Sequence, residues 1–110
     1  MSSQTLLVLT TCASPEEARK LATALVEQRL AACVNAVSGV ASTYRWQGAV
    51  RQDQESLLVI KTTQARFAAL ERAIRERSSY ELPEVVAIPI AAGSSAYLEW
   101  LSAAVEGGQE

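Results

Sequence analysis

The sequence of 110 residues contains no histidine. Histidine is the commonest general base and the commonest metal ligand, so its absence excludes Ser-His-Asp and Cys-His catalysis. Cysteine is scarce as well: Cys12 and Cys33 lie in apolar surroundings and form no Cys-x-x-Cys motif. Both are expected to be small buried hydrophobic residues without a disulfide.

A strong charge of one sign and a long apolar run are also missing. The 10 basic and 12 acidic residues give a net charge of −2 and form no basic stripe, so we expect no nucleic acid partner. No apolar run reaches about 18 residues, so no membrane partner is expected. The sequence has no phosphate-binding glycine motif, and we expect no enzymatic activity. Residues 1–4 lack the regions of a signal peptide, which favours a cytoplasmic location.

The length fits one domain over residues 1–110, with flexible tails at 1–4 and 106–110. Hydrophobic periodicity and turn residues predict the order of the elements. They are strands at 5–12, 31–46 (one long strand or two collinear pieces), 55–63 and 85–90, helices at 14–29, 64–77 and 94–105, and a turn-containing connection at 47–54.

Several residues mark the ends and irregularities of these elements. Ser14 is a candidate cap for the first helix, Pro15 suits its first position, and Glu17 completes a capping box. Gly39 predicts a bend or bulge in the long strand. Pro89 favours an edge position or a bulge in the last strand, because proline cannot donate a ladder hydrogen bond.

The order β-α-β-β-α-β-α predicts an α+β protein with a ferredoxin-like split β-α-β arrangement and an antiparallel sheet. Two helices would cover one face of that sheet. The strands, however, are apolar on both faces: Leu58 and Ile60 oppose Leu57 and Val59. A second copy of the chain is the simplest cover for the other face, which predicts an obligate homo-oligomer. The alternative is a monomer in which helix 94–105 covers it.

The stretch SSYELPEVV, residues 78–86, places Tyr80, Glu81 and Glu84 around Pro83. One interpretation is a shallow polar site between subunits that binds a cation or another polar ligand. The other is an ordinary connection, in which Pro83 ends the helical region and the glutamates are solvated or paired with arginine.

Three further residues are candidates for ligand binding. Lys61 lies in an apolar strand. One interpretation is a structural ion pair with Glu84 or Glu55, and the other is binding of an anion. Tyr44 and Trp46 share one face of their strand and either line a pocket or pack against a neighbouring subunit.

Five motifs in this order resemble the CutA family of divalent-cation tolerance proteins. They are LAACVN (30–35), YRWQG (44–48), IKTT (60–63), YELPEVVAIPI (80–90) and YLEWL (97–101). The resemblance spans about residues 6–101. It implies a ferredoxin-like fold assembled as a tight homotrimer and a role in tolerance to copper and other divalent cations.

The resemblance also implies metal binding through a cysteine near the end of the first strand and histidines before Tyr-x-x-Pro-Glu. Here Thr10, Arg77 and Ser78 stand at those positions, and Cys12 is a weak candidate ligand. Copper prefers thiolate or imidazole, so we expect at most weak binding of a divalent cation such as copper.

Two other functions are compatible with the predicted fold. One is small-molecule sensing like that of the trimeric PII proteins, which is an analogy at the level of fold. A short 47–54 connection with Arg51 as its only basic residue disfavours it. The other is a structural or interaction protein whose trimer presents surfaces to partners.

Overall fold

The computed structural model describes residues 3–106, and its element order is the predicted β-α-β-β-α-β-α. The elements are β1 (Thr5–Cys12), α1 (Pro15–Glu27), β2 (Cys33–Trp46), β3 (Ala49–Thr63), α2 (Gln64–Arg77), β4 (Val86–Pro89) and α3 (Ser95–Val105). Within residues 3–106, no helix is both long enough and apolar enough to cross a membrane.

The four strands form one antiparallel sheet in the order β2-β3-β1-β4. The two central strands, β1 and β3, are therefore separated in sequence by α1 and β2. This is the split β-α-β arrangement, and the predicted α+β, ferredoxin-like fold class is confirmed. Because β4 pairs only with β1 among the described strands, it is an edge strand, as Pro89 indicated.

The predicted tails fall partly outside the described residues, at 1–2 and 107–110. Ser3 and Gln4 lie inside and are hydrogen bonded to the start of α2. The Ser3 hydroxyl accepts a hydrogen bond from the Ala65 backbone N–H at 2.9 Å, and the Gln4 carbonyl accepts one from Gln64 at 2.7 Å. Both bonds satisfy backbone donors in the first turn of α2, which otherwise has no side-chain cap.

The core lies between one face of the sheet and the helices α1 and α2. Leu58 and Ile60 from the central strands are fully buried there, together with Leu25 of α1 and Leu70 of α2. The stripe of apolar residues along α1 provides its buried face, as the helical spacing predicts. At roughly 1.5–3 kcal/mol for each large buried side chain, this layer supplies much of the stability of the chain.

The opposite face of the sheet is apolar but only partly covered. Cross-strand pairing places Ile88 beside Leu7 and Val86 beside Leu9 on this face. Its side chains with 47% exposure are Val37, Val86 and Ile88, and its half-buried ones include Leu7, Leu9, Leu57 and Val59. The two-sided apolar character of the strands, predicted from the sequence, is therefore present in the folded chain.

Helix α3 packs against β1 and β3 at the end of the sheet where β3 leads into α2. Leu101 and Val105 are buried there. Its last carbonyls accept hydrogen bonds from other parts of the chain: Arg66 donates to Val105 at 2.7 Å and Arg29 to Ala104 at 3.4 Å. This placement leaves the exposed apolar residues of the second face uncovered, so α3 does not complete the cover that a monomer would need.

The hairpin between β2 and β3 is longer than predicted. Gln47 and Gly48, both with positive φ, form a two-residue turn, and β3 begins directly after it at Ala49. The predicted connection at 47–54 and the strand start at 55 are therefore wrong. Residues 49–54 pair with residues 41–46 but are mostly polar and exposed, so the strand has no alternating apolar pattern there.

We call the pairing of residues 40–46 with residues 49–55 the outer ribbon. It is separated from the inner part of β2 by a register shift between Val37 and Val40, where Gly39 has a φ of 71°. This is the predicted bulge. Beyond it the ribbon extends as only two strands, and Val50 on it is 63% exposed.

Glu17 ties the start of α1 to the connection that follows α2. Its backbone N–H donates to the Ser14 hydroxyl at 3.1 Å, as expected for the cap of α1. Its carboxylate accepts a hydrogen bond from the backbone of Ala13 at 3.0 Å, and two more from Ser79, at 2.8 Å from the N–H and 3.0 Å from the hydroxyl. The same carboxylate therefore fixes two segments distant in sequence. By contrast, Ser94 at the start of α3 makes no capping bond with its side chain.

The Glu17 contacts predict that Glu17→Ala lowers the free energy of unfolding by about 1–3 kcal/mol, because three hydrogen bonds to a charged acceptor are lost. Glu16→Ala is a matched control: Glu16 lies in the same helical turn, and among the described residues its carboxylate meets only Lys20, at 3.7 Å on the exposed surface. The Glu16→Ala substitution should lower the free energy of unfolding by less than about 1 kcal/mol. Urea unfolding at one protein concentration measures the free energy of unfolding of both variants. An equal decrease in the two variants would contradict the role of Glu17.

Candidate functional site

A cavity of about 540 Å³ opens between the outer ribbon and the connection from α2 to β4. The ribbon contributes residues of β2 and Glu55 of β3, β1 contributes Thr11, and the connection contributes residues 80–82 and 84. The lining consists of Thr11, Ser42, Thr43, Tyr44, Trp46, Glu55, Tyr80, Glu81, Leu82 and Glu84. This volume lies in the ordinary range of small-molecule sites.

The structure brings together five of the six predicted ligand-binding candidates. Tyr44, Trp46, Tyr80, Glu81 and Glu84 all line this cavity, although the first two are more than 30 residues from the others in sequence. They meet because β2 and β3 run back past the 78–85 connection. The sixth candidate, Lys61, is not among the lining residues.

Lys61 has a different partner from the one predicted. Within the chain its ammonium donates to the side-chain oxygen of Asn35 on the neighbouring strand. The expected pairing with Glu55 or Glu84 is wrong within the chain, because Glu55 lies six residues away along the same strand, a distance of about 20 Å. Glu84 belongs to the cavity at the Glu55 end of the sheet.

Tyr80 is anchored to Glu55 inside the cavity. Its hydroxyl donates to the Glu55 carboxylate at 2.6 Å, and its backbone N–H donates to the Ser78 hydroxyl at 3.0 Å. Partial burial, then the hydrogen bond to Glu55 and nearby negative charge, raise the pKa of Tyr80. Tyr80 therefore stays a neutral hydrogen-bond donor. Glu55 appeared in the sequence only as a possible partner of Lys61, and its role as the acceptor for Tyr80 was missed.

A second phenol–carboxylate pair stands on the ribbon. The hydroxyl of Tyr44 donates to Asp53 across the two strands, and this hydrogen bond, followed by desolvation, raises the pKa of Tyr44. Tyr44 is opposite Arg51 in register, so Asp53 is its diagonal neighbour. The two pairs fix the polar ends of two aromatic rings that line the cavity.

Negative charge dominates the cavity. Glu55, Glu81 and Glu84 contribute carboxylates, and among the described residues no lysine or arginine lines it. Within residues 3–106, Glu81 and Glu84 have no hydrogen-bond or ion-pair partner for their side chains. The predicted pairing of one of them with Lys61 or an arginine is therefore not made inside the chain. Leu82, which is 72% exposed, adds apolar surface between them.

The residues at the positions of the family's metal ligands do not fit a resident copper ion. Thr10 is buried, Arg77 is exposed at the end of α2, and Ser78 accepts the bond from Tyr80. None of the three offers the thiolate or imidazole that copper prefers.

Cys12 is a poor ligand as well. It shares the helix-covered face of β1 with Thr10 and is 2% exposed. Burial, with the charges of Glu17 and Glu55, raises the pKa of its thiol to about 11, so it is protonated near neutral pH. Among residues 3–106, no group of three His, Cys, Asp or Glu side chains is placed to hold a metal ion.

Comparison with known proteins identifies the relatives of this chain. The family model described as "CutA1 divalent ion tolerance protein" matches residues 6–104. The Divalent-cation tolerance protein CutA of Thermus thermophilus is 54% identical over 95 residues, which cover 86% of this chain and 92% of the relative. These names describe tolerance to divalent cations and specify no reaction.

Two other relatives carry names that state a location. Protein CutA, chloroplastic, of Arabidopsis thaliana is 45% identical, and the match covers 87% of this chain but only 53% of the plant protein. The structure of the Periplasmic divalent cation tolerance protein CutA from Archaeoglobus fulgidus matches with a TM-score of 0.90 at 33% identity, covering 93% of this chain and 99% of that one. Because the relatives differ in location, the cytoplasmic location of this chain stays a prediction.

The family match spans nearly all of the described residues, and the topology agrees with that of the solved structures. The chain belongs to the CutA1 family of divalent ion tolerance proteins.

Proposed function

We propose that the protein acts by binding rather than by catalysis, as a homotrimer with a cation-binding cavity at each subunit boundary. The observation that carries this proposal is the cavity itself, where three carboxylates meet three aromatic rings without a basic residue among the described lining. Its role would lie in the response to divalent metal ions, as the names of the relatives suggest.

The uncovered face of the sheet supports assembly. Val86 and Ile88 on β4 are about half exposed, and Val37 on β2 is equally so. Apolar residues grouped on one sheet face are typical of an interface between protein copies. In the described chain, the outer edges of β2 and β4 also lack a strand partner, and such edges favour pairing with another chain. The resemblance to the family implies that three copies meet.

The outer ribbon supports a boundary position for the cavity. A two-stranded ribbon is marginally stable alone in water, so it needs a surface to pack against. Val50 on the ribbon is 63% exposed in the single chain and would be covered by a neighbour. Because the ribbon forms one wall of the cavity, a subunit packed on it would stand beside the predicted site residues.

Copper would bind only weakly under this proposal. The cavity offers carboxylates, which are hard ligands, and its acidic residues do not converge as a metal-binding group. The Cys12 thiol would have to become exposed and lose its proton before it could bind copper.

Small-molecule sensing of the PII type is less well supported. A two-residue turn at Gln47–Gly48 leaves no long flexible loop between β2 and β3. A trimer that presents surfaces to partners without binding a ligand is the remaining alternative, and ligand titration of the assembled protein distinguishes it from a binding protein.

Replacement of Ile88 by glutamate is expected to dissociate the trimer, because it places a charge on the apolar sheet face. Val26→Glu is a matched control: Val26 is similarly exposed, at 42% against 47%, but lies on the outer surface of α1. Sedimentation velocity at low micromolar concentration should show a trimer for the natural sequence and for the control. A folded monomer of the natural sequence would contradict the proposed assembly.

Calorimetry of the metal-stripped protein is expected to give a dissociation constant for Cu²⁺ weaker than about 1 µM, that is, less than about 8 kcal/mol of binding free energy. The double variant Glu81→Gln, Glu84→Gln should reduce this binding further, because it removes two of the three carboxylates. The thiol variant Cys12→Ser, Cys33→Ser tests the competing source of ligands. Nanomolar Cu²⁺ binding that survives in the thiol variant would show that the ligands are assigned wrongly.

A further inference from the structure

We propose that the ligand of this cavity is an organic ammonium ion, an amine or methylated amine cation, rather than a metal ion. The inference rests on the proposed function, because it names the class of cation that the same site binds. The size of the cavity, its charge and its aromatic lining lead to this class independently.

The size of the cavity favours a molecule over a single ion. A divalent ion needs several oxygen ligands within about 2.0–2.6 Å of one point. The carboxylates here come from β3 and from both sides of Pro83, and among residues 3–106 they form no such group. A volume of about 540 Å³ leaves room for a small organic cation that contacts several walls at once.

The charge of the cavity requires a cation. Glu81 and Glu84 lack partners within the described chain, and Glu55 receives only the neutral hydroxyl of Tyr80. An anionic ligand such as a phosphate would face three carboxylates with no basic side chain in the described lining. Unpaired carboxylates next to apolar surface are stabilised when a cation approaches them.

The aromatic lining selects a weakly hydrated cation. Tyr44, Trp46 and Tyr80 contribute three rings, and Leu82 adds an aliphatic side chain. Alkylated ammonium ions are attracted to aromatic faces and bury their carbon atoms against them, which is how proteins recognise choline and methylated lysine. A hydrated metal ion gains little from such a surface. The bonds of Tyr44 to Asp53 and of Tyr80 to Glu55 hold two of the rings in place.

The test titrates the intact, metal-stripped protein with choline and with its uncharged isostere, 3,3-dimethylbutan-1-ol. Calorimetry gives the affinities, and tryptophan fluorescence of the Trp100→Leu variant, in which Trp46 is the remaining tryptophan, reports contact with Trp46. We expect choline to bind about tenfold or more tightly than the isostere, because only the cation gains from the carboxylates and rings. Equal affinities would overturn the proposal, because the cavity would then recognise shape alone.

Two pairs of variants localise the binding. Trp46→Leu and Glu81→Gln should each weaken choline binding severalfold, whereas Trp46→Phe, which keeps a ring, should retain most of it. The controls are Trp100→Leu and Glu99→Gln: both residues lie on α3 outside the cavity lining, and Trp100 packs on Tyr97 with ring centroids 5.4 Å apart. Sedimentation of each variant verifies its assembly. Equal weakening by a cavity variant and its control would overturn the assignment.

The failure of this inference differs from the failure of the proposed function. Cu²⁺ binding that depends on Glu81 and Glu84, without any choline binding, would refute the ammonium ligand and keep a cation site. If neither choline nor Cu²⁺ binds to the assembled trimer, both proposals fail and the protein is a structural trimer.

Discussion

The structure depends on a sheet that is apolar on both faces. The helices α1 and α2 cover one face, and the apolar side chains of the other face stay partly exposed. Leu58 and Ile60 are fully buried beneath α1 and α2, whereas Val86 and Ile88 on the opposite face are about half exposed. The hydrophobic effect acts on both faces alike, so the folded chain still has apolar surface to bury. The proposed assembly, and with it the surroundings of the cavity, would follow from this excess.

The cavity combines rigid walls with unsatisfied charge. Phenol–carboxylate hydrogen bonds hold Tyr44 and Tyr80, and Glu17 fixes the connection just before Tyr80 through Ser79. The carboxylates of Glu81 and Glu84 are left without partners in the described chain. A site with fixed rings and free carboxylates favours a cation with carbon groups over a metal ion that needs converging ligands.

The sequence predicts the parts of this protein whose patterns are local. The bounds of β1 and α2 agree with the predicted residues 5–12 and 64–77, because each has a clear periodicity and a clear boundary. The outer half of β3 was missed because Arg51 to Gln54 are exposed on the ribbon, where burial imposes no alternation. The Lys61–Asn35 contact and the Glu17–Ser79 link depend on register and on helix placement, which single-sequence patterns do not encode.

The central claim is that other copies of the chain cover the second sheet face and the outer ribbon. Amide hydrogen exchange of the natural protein at micromolar concentration measures this cover directly, strand by strand. If copies cover these surfaces, the amides of residues 41–46, 49–54 and 86–88 should exchange slowly and become fast when Ile88→Glu separates the subunits. Fast exchange of these segments in the natural protein, with slow exchange confined to β1, the inner part of β3 and the helices, would contradict the claim.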